Sequence, residues 1–329
     1  MINRLFDTWS RLLTTAQRRW RWVGYGLTGL AFLYLAALVI VSREQIQQID
    51  WRSYWAPFLL SILVYLVSLL IQYLAWTRLV SFHHRITWRD MAIYFRVLLM
   101  RRLPGGIWHW VDRTAMYTGA TEVSGRVVML ANFLEWVLLL ILAGAIGIAG
   151  WQTGHVLLRG ALAAGLIILA LFLAFSWQPK KRHWILRLLE SSFWVCLYTM
   201  AWMAGGLILY LFASVTQLQL PPGESYAHLT YLRSFWAWAI AGGSSLLMVF
   251  IPAGLGVREI TLTWLLSPYL PFSAILLVAI IIRLTYAIAD MVWGSLGMLF
   301  SLRLLKPVLP EQAPPESQVP DPGVPLPRE

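Results

Sequence analysis

The chain has 329 residues, of which 59% are apolar and only 12% are charged, and its mean hydropathy is +0.66. A soluble domain carries about 45–50% apolar and about 25% charged residues, so this composition excludes a soluble enzyme, a secreted domain and a disordered regulator. The 26 basic residues outnumber the 15 acidic ones and give a net charge of +11. We therefore expect an all-α, polytopic integral membrane helix bundle, in which the positions of the few charges are the most informative feature.

The first 22 residues predict a basic amphipathic helix at the cytoplasmic face of the membrane. Leucine, phenylalanine and tryptophan recur at helical spacing among five arginines, a pattern typical of helices that lie in the interface. The next apolar run, Val23–Val41, is long enough to cross a bilayer and is not followed by a small-residue cleavage site. We interpret it as an uncleaved first span whose N-terminus is cytoplasmic.

Five further spans are predicted, and the charges between them indicate one orientation. Basic residues follow the second, fourth and sixth spans, whereas the alternate loops are nearly neutral. Because positively charged loops stay in the cytoplasm, both termini are expected there, and the arginines do not indicate a nucleic-acid partner. The five spans are Tyr54–Trp76, Val127–Ala149, His155–Phe175, Ser191–Val215 and Phe272–Leu299.

Two more hydrophobic segments, Met91–Tyr117 and Phe235–Tyr269, are interrupted by proline and glycine. Non-helical backbone is tolerated at membrane depth only inside protein or beside a watery cavity. We interpret both segments as re-entrant pairs of half-helices, the first entering from the cytoplasm and the second from outside; the alternative is two kinked full spans. The interrupting residues are Pro104, Gly105, Gly106, Pro252, Gly254 and Gly256.

The two broken segments match without gaps when one is shifted by 148 residues. The shift aligns Pro104 with Pro252, and it places Glu135 of the third span on Arg283 of the last span. Because three spans separate the segments, the two halves would have opposite topologies. Inverted repeats with interrupted helices are how many transporters build a site near the bilayer midplane.

Charged residues inside the apolar spans are candidates for a polar cavity. Glu135 has Asn132 one turn earlier on its helix face, and Arg283, Tyr286 and Asp290 share one face of the last span. A charge at the bilayer centre costs about 2.5–3.5 kcal/mol on insertion scales, so each should face a partner or a wet cavity. Two interpretations stay open: a buried Glu135–Arg283 pair that only fixes helix packing, or a cavity in which Arg283 meets an anionic head group.

Further polar residues follow each break. Arg258 and Glu259 come directly after the second break, where a half-helix would direct its N-terminal amides and Arg258 into the cavity, unless the two residues form a local pair or cap. After the first break, His109 and Asp112 are three residues apart and are candidates for a proton relay. The adjacent Trp108 either lines the cavity or belongs to an interfacial aromatic belt.

No catalytic residue, metal ligand or cofactor is expected from the sequence. The single cysteine, Cys196, lies in an apolar run, and the six histidines lack the spacing of metal ligands. No pairing of a nucleophile with a base, no phosphate-binding loop and no pair of catalytic carboxylates stands out. An intramembrane enzyme is therefore the least favoured of the functional hypotheses.

The last 23 residues, 307–329, contain half of the 16 prolines together with four acidic residues. This composition predicts a disordered cytoplasmic tail. The expected organisation is thus an interfacial helix at 1–22, a transmembrane domain at 23–306 and the tail at 307–329.

The motifs around both breaks resemble the flippase-like transmembrane domain family, which forms the membrane region of lysylphosphatidylglycerol synthases. The resemblance covers roughly residues 20–305 and is most specific in the run P-A-G-L-G-V-R-E at 252–259, with L-P-G-G-I-W at 103–108 also matching. Two features depart from the family: Ala253 replaces a glycine, and no soluble aminoacyl-transferase domain follows, so we expect no lipid synthesis by this chain. The positions matched to the family's motifs are Arg113, Glu135, Arg258, Glu259 and Arg283.

The resemblance implies a stand-alone bacterial or archaeal inner-membrane protein that moves a phospholipid or lipid-linked saccharide between leaflets. Its partners would be membrane lipids or a lipid-linked glycan, bound through the five matched residues. The alternative is a non-catalytic membrane subunit that organises a glycosyltransferase or a cell-envelope assembly complex, with envelope-biosynthesis proteins as partners.

Overall fold

The computed structural model describes residues 50–83, 85–102, 108–121, 123–151, 155–179, 182–220, 226–248 and 256–304. The predicted interfacial helix, the first predicted span Val23–Val41 and the proline-rich tail lie outside these ranges. The proline and glycine residues of both breaks also lie outside them, except Gly256.

Helices account for the regular structure of the described part, which contains no strand, so the all-α prediction is confirmed. Two short 3-10 helices, Trp51–Tyr54 and Val97–Arg102, accompany the α-helices. In chain order the α-helices are α1 Trp55–Val80, α2 Trp88–Arg96, α3 Trp108–Ala120, α4 Gly125–Gly150, α5 Val156–Trp177, α6 Trp184–Leu218, α7 Tyr231–Leu247, α8 Val257–Leu266 and α9 Phe272–Leu304.

Within the described ranges, five helices are long and apolar enough to cross a membrane: α1 with the 3-10 turn before it, α4, α5, α6 and α9. They coincide with the last five predicted spans. Helix α4, for example, has 26 residues, which corresponds to about 39 Å, whereas the hydrocarbon core of a bilayer is about 30 Å thick. The length and composition of these helices indicate that the chain is a membrane protein.

Helix α6 begins at Trp184, one to two turns before the predicted start of its span at Ser191. The side chain of His183 caps this end, because its Nδ1 accepts a hydrogen bond of 3.4 Å from the amide of Ile185. The helix therefore includes the stretch Trp184–Glu190, whose charged residues Arg187 and Glu190 kept it out of the predicted span.

Both interrupted segments form two separate helices that fold back on one another. In the second segment the hydroxyls of Ser244 on α7 and Thr261 on α8 are 3.2 Å apart, although 17 residues separate them in sequence. In the first, the Arg113 guanidinium lies 4.6 Å from the centre of the Tyr94 ring. A continuous helix would place either pair more than about 25 Å apart. The segments are thus hairpins of half-helices rather than kinked full spans, and we call them the first and second hairpin.

The order of helices repeats along the chain as the sequence match predicts. Each hairpin ends in a short helix, α3 or α8, and is followed at once by a membrane-length helix, α4 or α9. Shifting α3 and α4 by 148 residues places their first residues at 256 and 273, within one residue of the starts of α8 and α9. The starts of these helices therefore agree with the predicted repeat.

Two contacts between a tryptophan and a glycine on the facing helix fix the packing of α6 against α7. The indole of Trp238 on α7 covers Gly205 on α6, and the indole of Trp202 on α6 covers Gly242 on α7. A Cβ at either glycine would overlap the facing indole. Because this reciprocal contact leaves both indoles beside the same space, it shapes the cavity described below.

Candidate functional site

A cavity of about 240 Å³ lies between the two hairpins and the helices α1, α4, α6 and α9. Its wall combines seven aromatic rings, two arginines, one glutamate and several hydroxyl and amide groups within the described part of the chain. Six residues that the sequence singles out line it: His109, Arg113, Asn132, Glu135, Arg258 and Tyr286.

Other predicted residues lie beside the cavity rather than in its wall. Asp112, Glu259, Arg283 and Asp290 do not belong to the lining, and the side chain of Trp108 lies outside the described part. His109 lines the cavity and contacts the Trp110 ring, with 5.9 Å between ring centres, while Asp112 is only partly buried.

Arg113 of the first hairpin contacts residues of α1, α2 and α4. Its guanidinium lies 4.1 Å from the ring centre of Trp76 and 4.6 Å from that of Tyr94. Its Nη1 donates to Glu135 at 2.9 Å and to Asn132 Oδ1 at 3.0 Å, and only 4% of its side chain is exposed. Such a buried, stacked and paired arginine holds α3 against α4 and fixes the carboxylate of Glu135 at the cavity wall.

Glu259 and Arg283 form a second ion pair, away from the cavity wall. Arg283 Nε on α9 donates to Glu259 Oε1 on α8 at 2.5 Å, and the other carboxylate oxygen accepts from the amide of Gly256 at 2.9 Å. Gly256 adopts a φ of +83°, a conformation that favours glycine, so the backbone turns sharply where α8 begins. Glu259 therefore caps α8 and ties it to the last span at once.

These two pairs bear on alternatives that the sequence left open. One alternative paired Glu135 with Arg283, but each binds a residue of the hairpin in its own half of the chain. Another alternative joined Arg258 and Glu259 in a local pair or cap; Glu259 does cap α8, but it pairs with Arg283. Each half of the chain thus has one ion pair between its short helix and its long helix. The arginine lies on the short helix α3 in the first half and on the long helix α9 in the second.

Arg258 is the second arginine in the wall of the cavity, on the side of the second hairpin. It belongs to the first turn of α8, and its guanidinium lies 5.0 Å from the ring centre of Trp238. The positive end of the α8 dipole and the arginine charge therefore act in the same direction at the wall.

Asp290 lies behind an aromatic wall of the cavity. Its Oδ1 accepts a hydrogen bond of 3.2 Å from the hydroxyl of Tyr65, and its side chain is buried. Tyr65 stacks on Tyr286 with 3.9 Å between ring centres, and Trp238 meets Tyr286 edge to face at 5.7 Å. Asp290 thus orients one of the rings that line the cavity.

The aromatic wall is the part of the site that sequence reasoning missed. Only Tyr286 of its rings was singled out, and the others are Tyr65, Tyr94, Trp110, Trp136, Trp202 and Trp238. A signal exists for Trp110 and Trp136, which flank predicted polar residues in sequence. Nothing in the sequence distinguishes the rest from the many other aromatic residues.

In the described part of the chain, no group of three or more histidine, cysteine, aspartate or glutamate residues could hold a metal ion. No model of a known protein family matches the chain, and no curated protein matches it.

Proposed function

We propose that this protein moves an anionic lipid head group, that of a phospholipid or of a lipid-linked saccharide, between the two leaflets of a membrane. The observation that carries the proposal is Arg258, an arginine in the wall of a cavity that lies between the two hairpins and helices of membrane length. A guanidinium matches the geometry of a phosphate group and binds it through paired hydrogen bonds.

The charge of the cavity supports an anionic ligand. Among its described lining residues, Arg113 and Arg258 oppose the single carboxylate of Glu135. Since the described lining contains two arginines and one carboxylate, its formal charge is positive, which favours an anion. In surroundings of low dielectric constant this attraction is much stronger than in water.

The size of the cavity supports a head group rather than a whole lipid. Ligand pockets of drug-sized molecules measure about 300–1,000 Å³, and the volume of about 240 Å³ lies just below that range. Acyl or prenyl chains would remain outside, along helices whose outer faces carry exposed leucine and phenylalanine side chains.

The two hairpins are the elements that we expect to move. Short half-helices packed around a cavity can shift against a frame of long helices, which is the usual arrangement in transporters built from repeats. In this proposal the protein is a member of the flippase-like transmembrane domain family, resides in the inner membrane and has both termini in the cytoplasm.

The test is lipid exchange in vesicles that contain the purified full-length protein. Fluorescent phosphatidylglycerol and a fluorescent polyprenyl phosphate hexose are placed in both leaflets, and dithionite then reduces the dye in the outer leaflet. Transport predicts that the reducible fraction rises from about half towards completeness, compared with vesicles without protein. If neither lipid exchanges faster than in protein-free vesicles, the proposal is wrong.

A second candidate function is that of a non-catalytic membrane subunit which organises a glycosyltransferase or envelope-assembly complex. The observation that favours it is the exposure of α5, because only 11% of an apolar stretch of 18 residues in this helix is buried within the bundle. Such a face meets either lipid or another membrane protein. Co-purification of a glycosyltransferase that is lost with Leu157→Ser and Phe172→Ser, together with no lipid exchange, would favour this function.

A further inference from the structure

The wall of the cavity contains aromatic rings, amides and hydroxyls that the binding of a phosphate alone does not use. We infer that the head group is a sugar phosphate, so that the lipid is a glycosylated polyprenyl or similar phosphate rather than a simple phospholipid. This inference rests on the proposed function and specifies its substrate class.

Seven flat aromatic rings contribute to the lining. Arg113 covers the face of Tyr94 and Arg258 that of Trp238, while Trp110 and Trp136 meet edge to face with 6.3 Å between their centres. The two indoles project from α3 and α4 into the same cavity. A sugar ring presents patches of C–H groups that pack against such faces, because the ring face carries partial negative charge.

Hydrogen-bonding groups lie beside these rings. Gln72 on α1 donates to Ser68 at 3.3 Å, Asn132 on α4 accepts from Arg113 at 3.0 Å, and Ser245 on α7 also lines the cavity. Amide and hydroxyl groups both donate and accept, so they match the hydroxyls at the rim of a sugar. Ser245 donates to the Ala241 carbonyl at 2.8 Å, but its oxygen can still accept, and the two amides can likewise form further hydrogen bonds. A sugar offers these groups more hydroxyls than a glycerol phosphate does.

The charge of the cavity excludes the other common ligand of aromatic cages, a quaternary ammonium group. Such cages bind cations through the ring faces. Here arginines already occupy the faces of Trp238 and Tyr94, and the only described lining carboxylate, Glu135, is bound to Arg113. The arrangement therefore favours a ligand with a negative phosphate and a neutral polar ring.

The phosphate and the sugar of the ligand would be bound by different halves of the chain. Arg258 on α8 would hold the phosphate, whereas Trp110 on α3 and Trp136 on α4 would hold the sugar. Loss of Trp110 should then affect the preference for sugar, and loss of Arg258 should affect every phosphate-bearing lipid.

Competition in native mass spectrometry tests this assignment with the full-length protein. Equal concentrations of a short polyprenyl phosphate hexose, the same polyprenyl phosphate without sugar, and phosphatidylglycerol are added. We expect the glycosylated lipid to occupy the protein at least tenfold more than either competitor. Trp110→Leu and Trp136→Leu should each reduce this preference to within twofold, while Trp184→Leu, an exposed position outside the cavity, should retain it.

The inference is wrong if the wild-type protein binds either sugar-free lipid as well as the glycosylated one, or if both tryptophan variants keep the tenfold preference. The wild-type comparison needs no variant, so a folding defect in one variant leaves the test intact. Exchange of phosphatidylglycerol in vesicles without preference for sugar would overturn this inference and leave the proposed function standing. Tenfold preference without any lipid exchange would overturn the proposed function and support the sugar-phosphate site.

Discussion

Arg283 on the last span donates to the carboxylate of Glu259, the residue that also caps the short helix of the second hairpin. In the other half of the chain, Arg113 on the short helix donates to Glu135 on the long one. Each hairpin is therefore tied to its own long helix by one buried ion pair. Arg258, which we propose binds the ligand, follows Gly256 by two residues and lines the cavity.

The Glu259–Arg283 pair predicts a stability cost that depends on whether one or both partners are removed. Breaking a buried pair leaves an uncompensated charge and costs about 3–5 kcal/mol, whereas replacing both partners by apolar residues is often far less costly. We expect Glu259→Leu and Arg283→Leu each to lower the apparent Tm in detergent and the double variant to recover at least half of the loss.

The exposed Arg89 provides the control for this comparison of single and double variants, since Arg89→Leu removes a charge from the surface. Its Tm should stay close to that of the wild type. If the double variant is as unstable as the sum of the two single variants, the residues do not act as a pair.

At Gly205 we expect added side-chain volume to lower the stability of the protein. A Cβ there would overlap the indole of Trp238, so Gly205→Ala should destabilise the protein by about 1–3 kcal/mol through overpacking. Gly165→Ala on α5 is the matched control, because nothing lies within 4 Å of its Cβ. Since alanine favours a helix by up to about 1 kcal/mol over glycine, the control should be neutral or stabilising in the same melting experiment.

The fold of the second hairpin can be tested by cross-linking. Ser244→Cys combined with Thr261→Cys in a Cys196→Ala background should form a disulfide under mild oxidation, because the native hydroxyls are 3.2 Å apart. Thiol labelling before and after reduction measures the bond. The pair Ser244→Cys and Ile260→Cys is the control, since Ile260 faces outward and is 69% exposed. A kinked full span predicts no disulfide in either variant.

Much of the fold follows from hydropathy, because apolar runs of membrane length leave few alternatives to helices. Glu135 and Arg283 could be found in the same way, as charges inside such runs. Their partners could not: Arg113 and Glu259 lie 22 and 24 residues away on hairpin helices, and only the fold-back brings them close. The aromatic wall escaped prediction for another reason. Among 19 tryptophans and 13 tyrosines, no local pattern marks those that share one cavity.

The account rests above all on Arg258 as the group that binds the phosphate. Leaflet exchange in vesicles tests it when Arg258→Gln, Arg258→Lys and Arg89→Gln are compared with the wild type at equal reconstituted amounts and with Tm as a check on folding. We predict that Arg258→Gln lowers the exchange rate at least tenfold, that Arg258→Lys retains part of it, and that Arg89→Gln leaves it unchanged. A folded Arg258→Gln protein that exchanges lipid at the wild-type rate would contradict the account.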